Sequence, residues 1–263
     1  MTVTQGNDAL DLQEIGVRFG GIAALDGVSL QVRPGEICGL IGANGAGKTT
    51  LFDVISGVRR PDRGRVRLAG SDVTSWAAHR RARAGLRRTF QRVQLFGWLT
   101  VEENLLVATE WRGGGGGVLG DLAAVPGRTR READRRARAD DVLERCGLVE
   151  LRHEPAARLP IGQARLVELG RALVDHPSLL LLDEPASGLD TVEAERFGSV
   201  VRSLRDDEGT SVLLVEHDVG FVMDHCDRVV VLHLGRVLAQ GPPEAIREDP
   251  AVREAYLGVT SSS

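Results

Sequence analysis

The chain has 263 residues and a formal net charge of −4. This length is enough to bury a full hydrophobic core, in one large domain or in two smaller ones. The slightly acidic balance excludes a global basic field of the kind that attracts nucleic acid.

Three cysteines, Cys38, Cys146 and Cys226, lie far apart in the sequence. Their spacing predicts buried thiols in a reducing cytosol and argues against a disulfide or zinc framework. The polar residues 1–8 predict no signal peptide. The longest clean apolar run, residues 179–182, is too short to cross a bilayer. If the protein works at a membrane, we expect other chains to supply the spanning segments.

The first part of the chain predicts short strands. Apolar and polar residues alternate from Leu10 to a strand end near Phe19, and again over residues 28–32 and 65–68. Together these pieces predict a small antiparallel sheet.

A glycine-rich segment, residues 42–49, follows a short apolar run at 37–41 and precedes a helix-like run that Gly57 ends. Strand, glycine-rich loop and helix stand in the order that a phosphate-binding loop needs. Inward-pointing N–H groups and the helix N-terminus suit a polyphosphate. We expect Lys48 to reach the β- and γ-phosphates, and the Thr49 hydroxyl to bind Mg²⁺.

The composition sharpens this prediction. Of the 33 cationic residues, Lys48 is the only lysine and the rest are arginines. A compact ammonium fits between phosphate oxygens as a point charge, whereas a guanidinium is a larger, rigid fork. The alternative is an ordinary glycine-rich turn followed by a lysine, which does not explain why the single lysine stands at this position.

An arginine-rich stretch at residues 76–88 allows two interpretations, a nucleic-acid patch or the solvated face of a helix. Because the net charge is negative and no aromatic residues are interleaved, we favour the solvated face. The arginines concerned are Arg80, Arg81, Arg83, Arg87 and Arg88.

The middle of the chain, about residues 95–159, is predicted to be mostly helical. Thr100 is a predicted N-cap with Glu103 three residues on, which forms a capping box. Residues 128–146 are helix-like. The five glycines at 113–117 cannot hold regular structure and predict a flexible surface loop.

The last third alternates helices and strands. Predicted helices cover residues 163–174 and 191–207, and predicted strands cover residues 178–182, 211–215 and 228–232, with a hairpin at 234–238. This order predicts an α/β fold with a mostly parallel sheet and helices on both faces. Ligands of such sheets bind at the carboxyl ends of the strands.

Three candidate groups fall at such strand ends: the glycine-rich loop, the pair Asp183 and Glu184, and His217. Asp183 is expected to hold Mg²⁺, while Glu184, one residue on, points towards an attacking water. His217 is then a candidate γ-phosphate contact. The alternative is a strand-end turn whose carboxylates cap the next helix.

With these residues in place, the sequence resembles the ATP-binding cassette (ABC) ATPases over about residues 10–258. Residues 42–49 resemble the Walker A motif, and residues 179–184 resemble Walker B with its catalytic glutamate. The resemblance implies a P-loop NTPase (RecA-like) core with an antiparallel β subdomain and an inserted helical subdomain. It implies ATP and Mg²⁺ as cofactors and Glu184, His217 and Lys48 as catalytic residues.

The resemblance also assigns the remaining contacts. The implied nucleotide contacts are Gly42, Asn44, Gly45, Ala46, Gly47, Lys48, Thr49 and Thr50, with Phe19 stacking on adenine and Gln91 at the Q-loop. The implied Mg²⁺ ligands are Thr49, Gln91 and Asp183. The D-loop is Ser187, Gly188, Leu189 and Asp190. For Phe19, a core phenylalanine is the alternative.

One departure from the family pattern concerns its signature, Leu-Ser-Gly-Gly-Gln. The aligned residues here are Leu159, Pro160, Ile161, Gly162 and Gln163. In the family the serine binds the γ-phosphate of ATP held by the opposite subunit, and Pro160 has neither a hydroxyl nor an N–H. We expect the ATP site that this signature completes to be weaker than in the family.

Among subfamilies, the motif at residues 88–91 and the ending at 243–258 resemble the ATPases of branched-chain amino acid importers. The implied domain spans residues 10–258, with a core at 10–94 and 160–258, a helical subdomain at 95–159, and disordered tails at 1–9 and 259–263. The implied partners are a second ABC ATPase subunit (the same or a related chain), transmembrane permease subunits and an extracytoplasmic solute-binding protein, but no nucleic acid. The implied location is cytoplasmic, on the inner face of the cell membrane.

Other functions remain open from the sequence. One is the ATPase of a lipopolysaccharide-export system, and another is a soluble ABC protein that acts on DNA or ribosomes. A third class is a P-loop kinase of a small molecule. Glu184 after Asp183 argues against the kinase, because a kinase must exclude attacking water.

Overall fold

The computed structural model describes residues 8–109 and 126–257 and divides into two compact units. The first unit comprises the described parts of Met1–Arg88, Pro177–Ser187 and Val201–Ser263. The second comprises those of Thr89–His176 and Gly188–Val200. The domain boundaries inferred from the sequence stay a prediction.

An antiparallel sheet of four strands forms one part of the first unit. Its strands are β1 (Leu10–Phe19), β2 (Ile22–Val32), β4 (Arg63–Leu68) and β5 (Ser71–Asp72), in the order β2-β1-β4-β5. This is the small antiparallel sheet that alternation in the sequence predicts.

A six-stranded sheet forms the other part of the first unit, in the order β10-β9-β3-β8-β7-β6. Its strands are β3 (Ile37–Ile41), β6 (Leu86–Arg88), β7 (Leu179–Asp183), β8 (Ser211–Val215), β9 (Arg228–His233) and β10 (Arg236–Gly241). All neighbours pair in parallel except β9 and β10, which form an antiparallel hairpin.

The central strands of this sheet are apolar along their whole length. Every residue of β3, β7 and β8 is buried, as is typical of parallel strands covered on both faces. Gly39 in β3 admits a close neighbour, since a Cβ there would lie 2.6 Å from a methyl of Val222. A mostly parallel sheet is therefore confirmed.

The helices of the first unit connect these strands. They are α1 (Lys48–Ser56), α2 (Ala78–Arg83), α7 (Val219–His225), α8 (Pro243–Glu248) and α9 (Pro250–Val252), followed by one π-helical turn at Arg253–Leu257. Helix α1 ends at Gly57, which adopts a left-handed conformation with φ 78° and donates its N–H to Val54 O.

The second unit is mainly helical. It contains α3 (Val101–Ala108), α4 (Pro126–Arg145) and α5 (Ile161–Leu173), with short 3₁₀ turns at Val149–Leu151 and Ala156–Arg158. The predicted capping box is confirmed, because Thr100 accepts from the Glu103 N–H and Glu103 accepts from the Thr100 N–H. Helix α6 (Thr191–Glu208) contributes residues to both units.

Three sequence predictions fall wholly or mostly on residues that the structure does not describe: the tail at 1–9, of which residues 1–7 are not described, the loop at 113–117 and the tail at 259–263. The three cysteines are free and buried, as predicted. No helix among the described residues is long and apolar enough to cross a membrane.

The prediction of a solvated arginine face at residues 76–88 is wrong for two of its members. Helix α2 is only six residues long, and although Arg80 and Arg83 on it are exposed, Arg81 is completely buried. Arg88 lies at the end of β6 with a side chain that is only 9% exposed. Their charge makes both residues look like surface residues in the sequence.

Arg81 is buried because it caps helix α1. Its Nη1 donates to Val54 O at 2.6 Å and to Ile55 O at 2.8 Å, the last carbonyls of that helix. Its other donors reach Trp76 O and Thr74 O. Burial lowers the pKa of this guanidinium to about 10, and the negative end of the helix dipole opposes that cost.

We therefore expect Arg81→Ala to lower the free energy of unfolding by about 3 kcal/mol, because it removes four hydrogen bonds that a buried guanidinium makes to main-chain carbonyls. Urea titration followed by circular dichroism measures this change. Arg83→Ala, an exposed change in the same helix, is the control and should cost less than about 0.5 kcal/mol. Equal effects of the two changes would contradict the capping role.

Candidate functional site

The glycine-rich loop joins β3 to α1 and closes tightly on its surroundings. Gly47 has φ 107°, and a Cβ there would lie 2.6 Å from Ala24 O. Only glycine combines that conformation with so close an approach. The loop is also held by a hydrogen bond from the Gly235 N–H to Ala46 O at 3.0 Å.

Lys48 is the first residue of α1, and its side chain folds back along the loop. Its Nζ donates to Gly42 O at 2.6 Å and to Ala43 O at 3.1 Å, and the residue is only 7% exposed. Burial lowers the pKa of the ammonium, while the charges of Glu184 and Asp183 oppose that shift. A cation is thus held against main-chain carbonyls of the loop, which suits a polyphosphate site.

The strand register brings the predicted site residues of the first unit to one edge of the sheet. Val215 at the end of β8 pairs with Leu40 of β3 on one side and with Asp183 of β7 on the other. The loop after Ile41, the pair at 183–184 and His217 therefore follow strands that end in one row. This meeting of three candidates is what the sequence predicts.

Asp183 ends β7 and is 8% exposed. Its Oδ2 accepts from Arg88 Nη2 at 2.9 Å, and Arg88 Nη1 donates to Asp53 Oδ1 at 2.7 Å and to Ser56 Oγ at 3.1 Å. Arg88 thus links the carboxylate at the strand end to helix α1. In the sequence, the only signal for this role is a charged residue at the end of an edge strand. The interpretation of residues 76–88 as a solvated face did not identify it.

Glu184 follows in a strained backbone conformation, with φ 50°, which a non-glycine residue adopts mainly where its surroundings impose it. Its N–H donates to Val215 O at 2.9 Å. Its Oε1 lies 2.7 Å from Nε2 of His217. The carboxylate is 15% exposed and the imidazole 44% exposed, so the two predicted catalytic groups form one accessible pair.

Phe19 lies at the end of β1 and is 51% exposed, which is not the burial of a core residue. The guanidinium of Arg59 lies 3.9 Å from its ring centroid, and Arg59 also donates to Arg18 O. An exposed aromatic ring suits the stacking of a base. The contact with adenine itself stays a prediction.

The second unit holds Gln91 and the residues aligned with the signature. The backbone carbonyl of Gln91 accepts from Arg165 Nη2 of α5 at 2.7 Å. Arg165 also donates to Phe90 O and lies 3.4 Å from Glu168. Helix α5 therefore fixes the main chain at 90–91, while the predicted contact of the Gln91 side chain with Mg²⁺ stays a prediction.

The signature region lies around the start of α5. Pro160 is its N-cap and makes no side-chain hydrogen bond, and Ile161 is 45% exposed. A Cβ on Gly162 would lie 2.3 Å from the carboxylate of Glu193. That carboxylate accepts from the Asp190 N–H, while Asp190 caps the Glu193 N–H at the start of α6. The structure thus places the last D-loop residue and Gly162 on either side of Glu193.

A bound Mg²⁺ ion needs suitable donor atoms from the protein. Among residues 8–109 and 126–257, no cluster of three or more His, Cys, Asp or Glu side chains has the arrangement of a metal site. Mg²⁺ bound with a nucleotide needs only one or two protein oxygens besides phosphates and water. The Thr49 hydroxyl and the Asp183 carboxylate supply oxygens of that kind, so the residues fit the ion.

Two family models match this chain. The model described as ABC transporter matches residues 25–187, and the model described as branched-chain amino acid ATP-binding cassette transporter matches residues 236–260.

Curated relatives cover almost the whole chain. The high-affinity branched-chain amino acid transport ATP-binding protein BraF of Pseudomonas aeruginosa is 40% identical over 95% of this chain and 97% of that protein. LivG of Escherichia coli, described in the same words, gives the same figures. The lipopolysaccharide export system ATP-binding protein LptB of Acidithiobacillus ferridurans is 38% identical over 88% of this chain and 89% of that protein.

Solved structures agree with this assignment. A nucleotide-free ATP-binding cassette from an ABC transporter has a TM-score of 0.82 at 32% identity, and covers 95% of this chain and 98% of its own. The ADP conformation of an ATP-binding cassette of an ABC transporter has the same TM-score and identity, covering 95% and 99%. The chain therefore belongs to the ATP-binding cassette family, as a nucleotide-binding ATPase subunit of the kind that powers ABC transporters.

Proposed function

We propose that this chain hydrolyses ATP to drive an importer of branched-chain or related amino acids. The observation that carries the ATPase chemistry is the pair of Glu184 and His217, held 2.7 Å apart at the same sheet edge as Lys48. Support for the substrate class comes from the family model at residues 236–260 and from relatives such as BraF and LivG.

In this proposal the phosphate loop binds ATP through its N–H groups, and Lys48 turns its remaining ammonium hydrogen to the β- and γ-phosphates. Glu184 Oε1 or Oε2 accepts a proton from the attacking water, and His217 orients that carboxylate through Nε2. The water oxygen forms a bond to the γ-phosphorus while the bond between the γ-phosphorus and the bridging oxygen breaks, which gives ADP and inorganic phosphate. Thr49 and Asp183 would hold Mg²⁺, which would supply charge neutralisation at the phosphates.

The proposed partners follow from the same assignment. Two ABC ATPase subunits, which are two copies of this chain or this chain with a relative, close head to tail on two ATP molecules. Permease subunits supply the membrane spans, a solute-binding protein delivers the substrate, and this chain works on the inner face of the membrane. Because Pro160 lacks a hydroxyl, the site completed by this chain's signature is the weaker one.

Lipopolysaccharide export is the second candidate, because LptB is 38% identical to this chain. The match of the branched-chain family model at residues 236–260 favours the importer. Reconstitution with the permease subunits of a branched-chain amino acid importer, followed by uptake of labelled leucine, separates the two. A kinase is separated by product analysis, since it would yield a phosphorylated acceptor instead of free phosphate.

We expect Glu184→Gln to lower the rate of phosphate release at least about a hundredfold, because the carboxylate that accepts the proton of water is gone. ATP affinity should stay within about twofold of wild type, since the Lys48 loop is unchanged. A phosphate-release assay and a fluorescent-nucleotide titration measure the two quantities. Glu248→Gln, an exposed change in α8, is the control. Unaltered turnover in Glu184→Gln would refute the role assigned to Glu184.

We expect Pro160→Ser, made in the Glu184→Gln background, to tighten ATP-dependent self-association severalfold, about fivefold or more. The new hydroxyl restores the family's phosphate contact at the start of α5. Light scattering of size-exclusion peaks with Mg-ATP gives the mass, against 28.3 kDa for one chain.

Pro242→Ser is the matched control, because Pro242 also caps a helix without a side-chain hydrogen bond. A general gain in helix capping would appear in both variants, but only Pro160→Ser should change association. If Pro160→Ser leaves association unchanged in the Glu184→Gln background, and turnover unchanged in the otherwise wild-type chain, the weak-signature hypothesis fails.

A further inference from the structure

Glu216 is a buried carboxylate that the proposed mechanism does not use. It follows the last residue of β8 and is only 3% exposed. Its Oε1 accepts from the Ala186 N–H at 2.6 Å, and its Oε2 accepts from the His217 N–H at 3.0 Å. One side chain therefore joins the segment after β7 to the segment after β8.

These two segments carry Glu184 and His217, which form the hydrolytic pair of the proposed function. Ala186 lies two residues after Glu184, and His217 donates its own main-chain N–H to the carboxylate of Glu216. The pair itself closes at 2.7 Å between Glu184 Oε1 and His217 Nε2. The hydrogen bond from the Glu184 N–H to Val215 O is the other link between the segments. Glu216 thus closes a ring of hydrogen bonds behind the pair.

The contacts of Glu216 suit a side chain that accepts hydrogen bonds through both of its carboxylate oxygens. Burial raises the pKa of Glu216, while the N–H groups of Ala186, His217 and Asp218 lower it, and the nearby Glu184 charge raises it further. Every group that faces this side chain in these contacts is a donor. An amide of the same shape would present an NH₂ group to one of these N–H donors and lose that hydrogen bond.

We propose that Glu216 is a positioning residue for ATP hydrolysis, which holds Glu184 and His217 in register by tying together the backbone of their two segments. In this proposal it acts only through the pair. The inference rests on the proposed ATPase function.

Glu36 provides a matched control. It is also a buried glutamate of the first unit, 7% exposed, and its Oε2 accepts from the Arg33 N–H at 2.7 Å. Its Oε1 accepts from Arg228 Nε at 2.7 Å. Glu36 precedes β3, whereas the phosphate loop follows the other end of that strand. Glu36→Gln therefore removes a comparable buried acceptor far from Glu184 and His217.

The test compares Glu216→Gln, Glu216→Asp and Glu36→Gln in the full-length protein. We expect Glu216→Gln to lower kcat about tenfold to a hundredfold, because misplaced catalytic groups cost rates of this order. KM for ATP and the Kd of a fluorescent ATP analogue should stay within about twofold. Glu216→Asp, which keeps the charge but reaches less far, should retain an intermediate kcat, and Glu36→Gln should retain the wild-type kcat.

A double-mutant cycle with His217→Ala shows whether Glu216 acts through the pair. If it does, adding Glu216→Gln to His217→Ala should lower kcat less than about threefold further. A full additive loss would overturn the proposal, as would a wild-type kcat in a folded Glu216→Gln protein or an equal loss of kcat in Glu36→Gln.

Different results would overturn the proposed function and the role of Glu216. A wild-type protein that binds ATP but releases no phosphate overturns the proposed function, and this inference with it. A wild-type protein that releases phosphate, with Glu216→Gln equally active, overturns only the role of Glu216. Should Glu216→Gln not fold, Glu216→Asp carries the same test through its kcat at unchanged KM.

Discussion

The site depends on one buried cation. Lys48 is 7% exposed, and its ammonium closes the phosphate loop through hydrogen bonds to Gly42 O and Ala43 O. A buried charge is costly unless donors are satisfied and opposite charges are near. Loop carbonyls satisfy two of its hydrogens, and Asp183 and Glu184 supply the opposite charge. The position therefore requires a small cation with several donors, which explains a lysine in a chain that otherwise uses arginine.

The parallel register of the strands brings further residues to the site around Lys48. Val215 pairs with both Leu40 and Asp183, so three strands end side by side. The residues that follow these strands therefore lie at the same edge of the sheet. Side chains then lock each segment: Arg88 ties Asp183 to helix α1, and Glu216 ties the backbone near Glu184 to that of His217. The proposed arrangement of the hydrolytic groups is thus held by side chains that do not react themselves.

Much of the fold could be predicted from sequence because its signals are local. Buried apolar runs define β3, β7 and β8, and Thr100 with Glu103 defines the start of α3. The site residues at strand ends follow from the same pattern. The buried arginines could not be predicted, because the carbonyls that Arg81 satisfies and the carboxylate that Arg88 pairs with come from residues distant in sequence.

Glu216 shows the same limit. In the sequence it is a charged residue beside a histidine, typical of an exposed strand end. Its burial depends on the Ala186 N–H, 30 residues away, and only the three-dimensional structure brings that donor to it. Sequence patterns thus indicate the groups that are proposed to react, whereas the groups proposed to position them are found only from tertiary contacts.

The most direct test of this account is ATP hydrolysis by Lys48→Arg, which keeps the positive charge but replaces the ammonium by a guanidinium. The account predicts that kcat/KM falls at least about a hundredfold, because the larger fork cannot occupy the space that the loop leaves around Nζ. Arg60→Lys, an exchange of the same two residue types at an exposed position, should leave kcat/KM unchanged. Turnover by Lys48→Arg close to that of wild type would contradict the central claim that this loop is built around a compact ammonium.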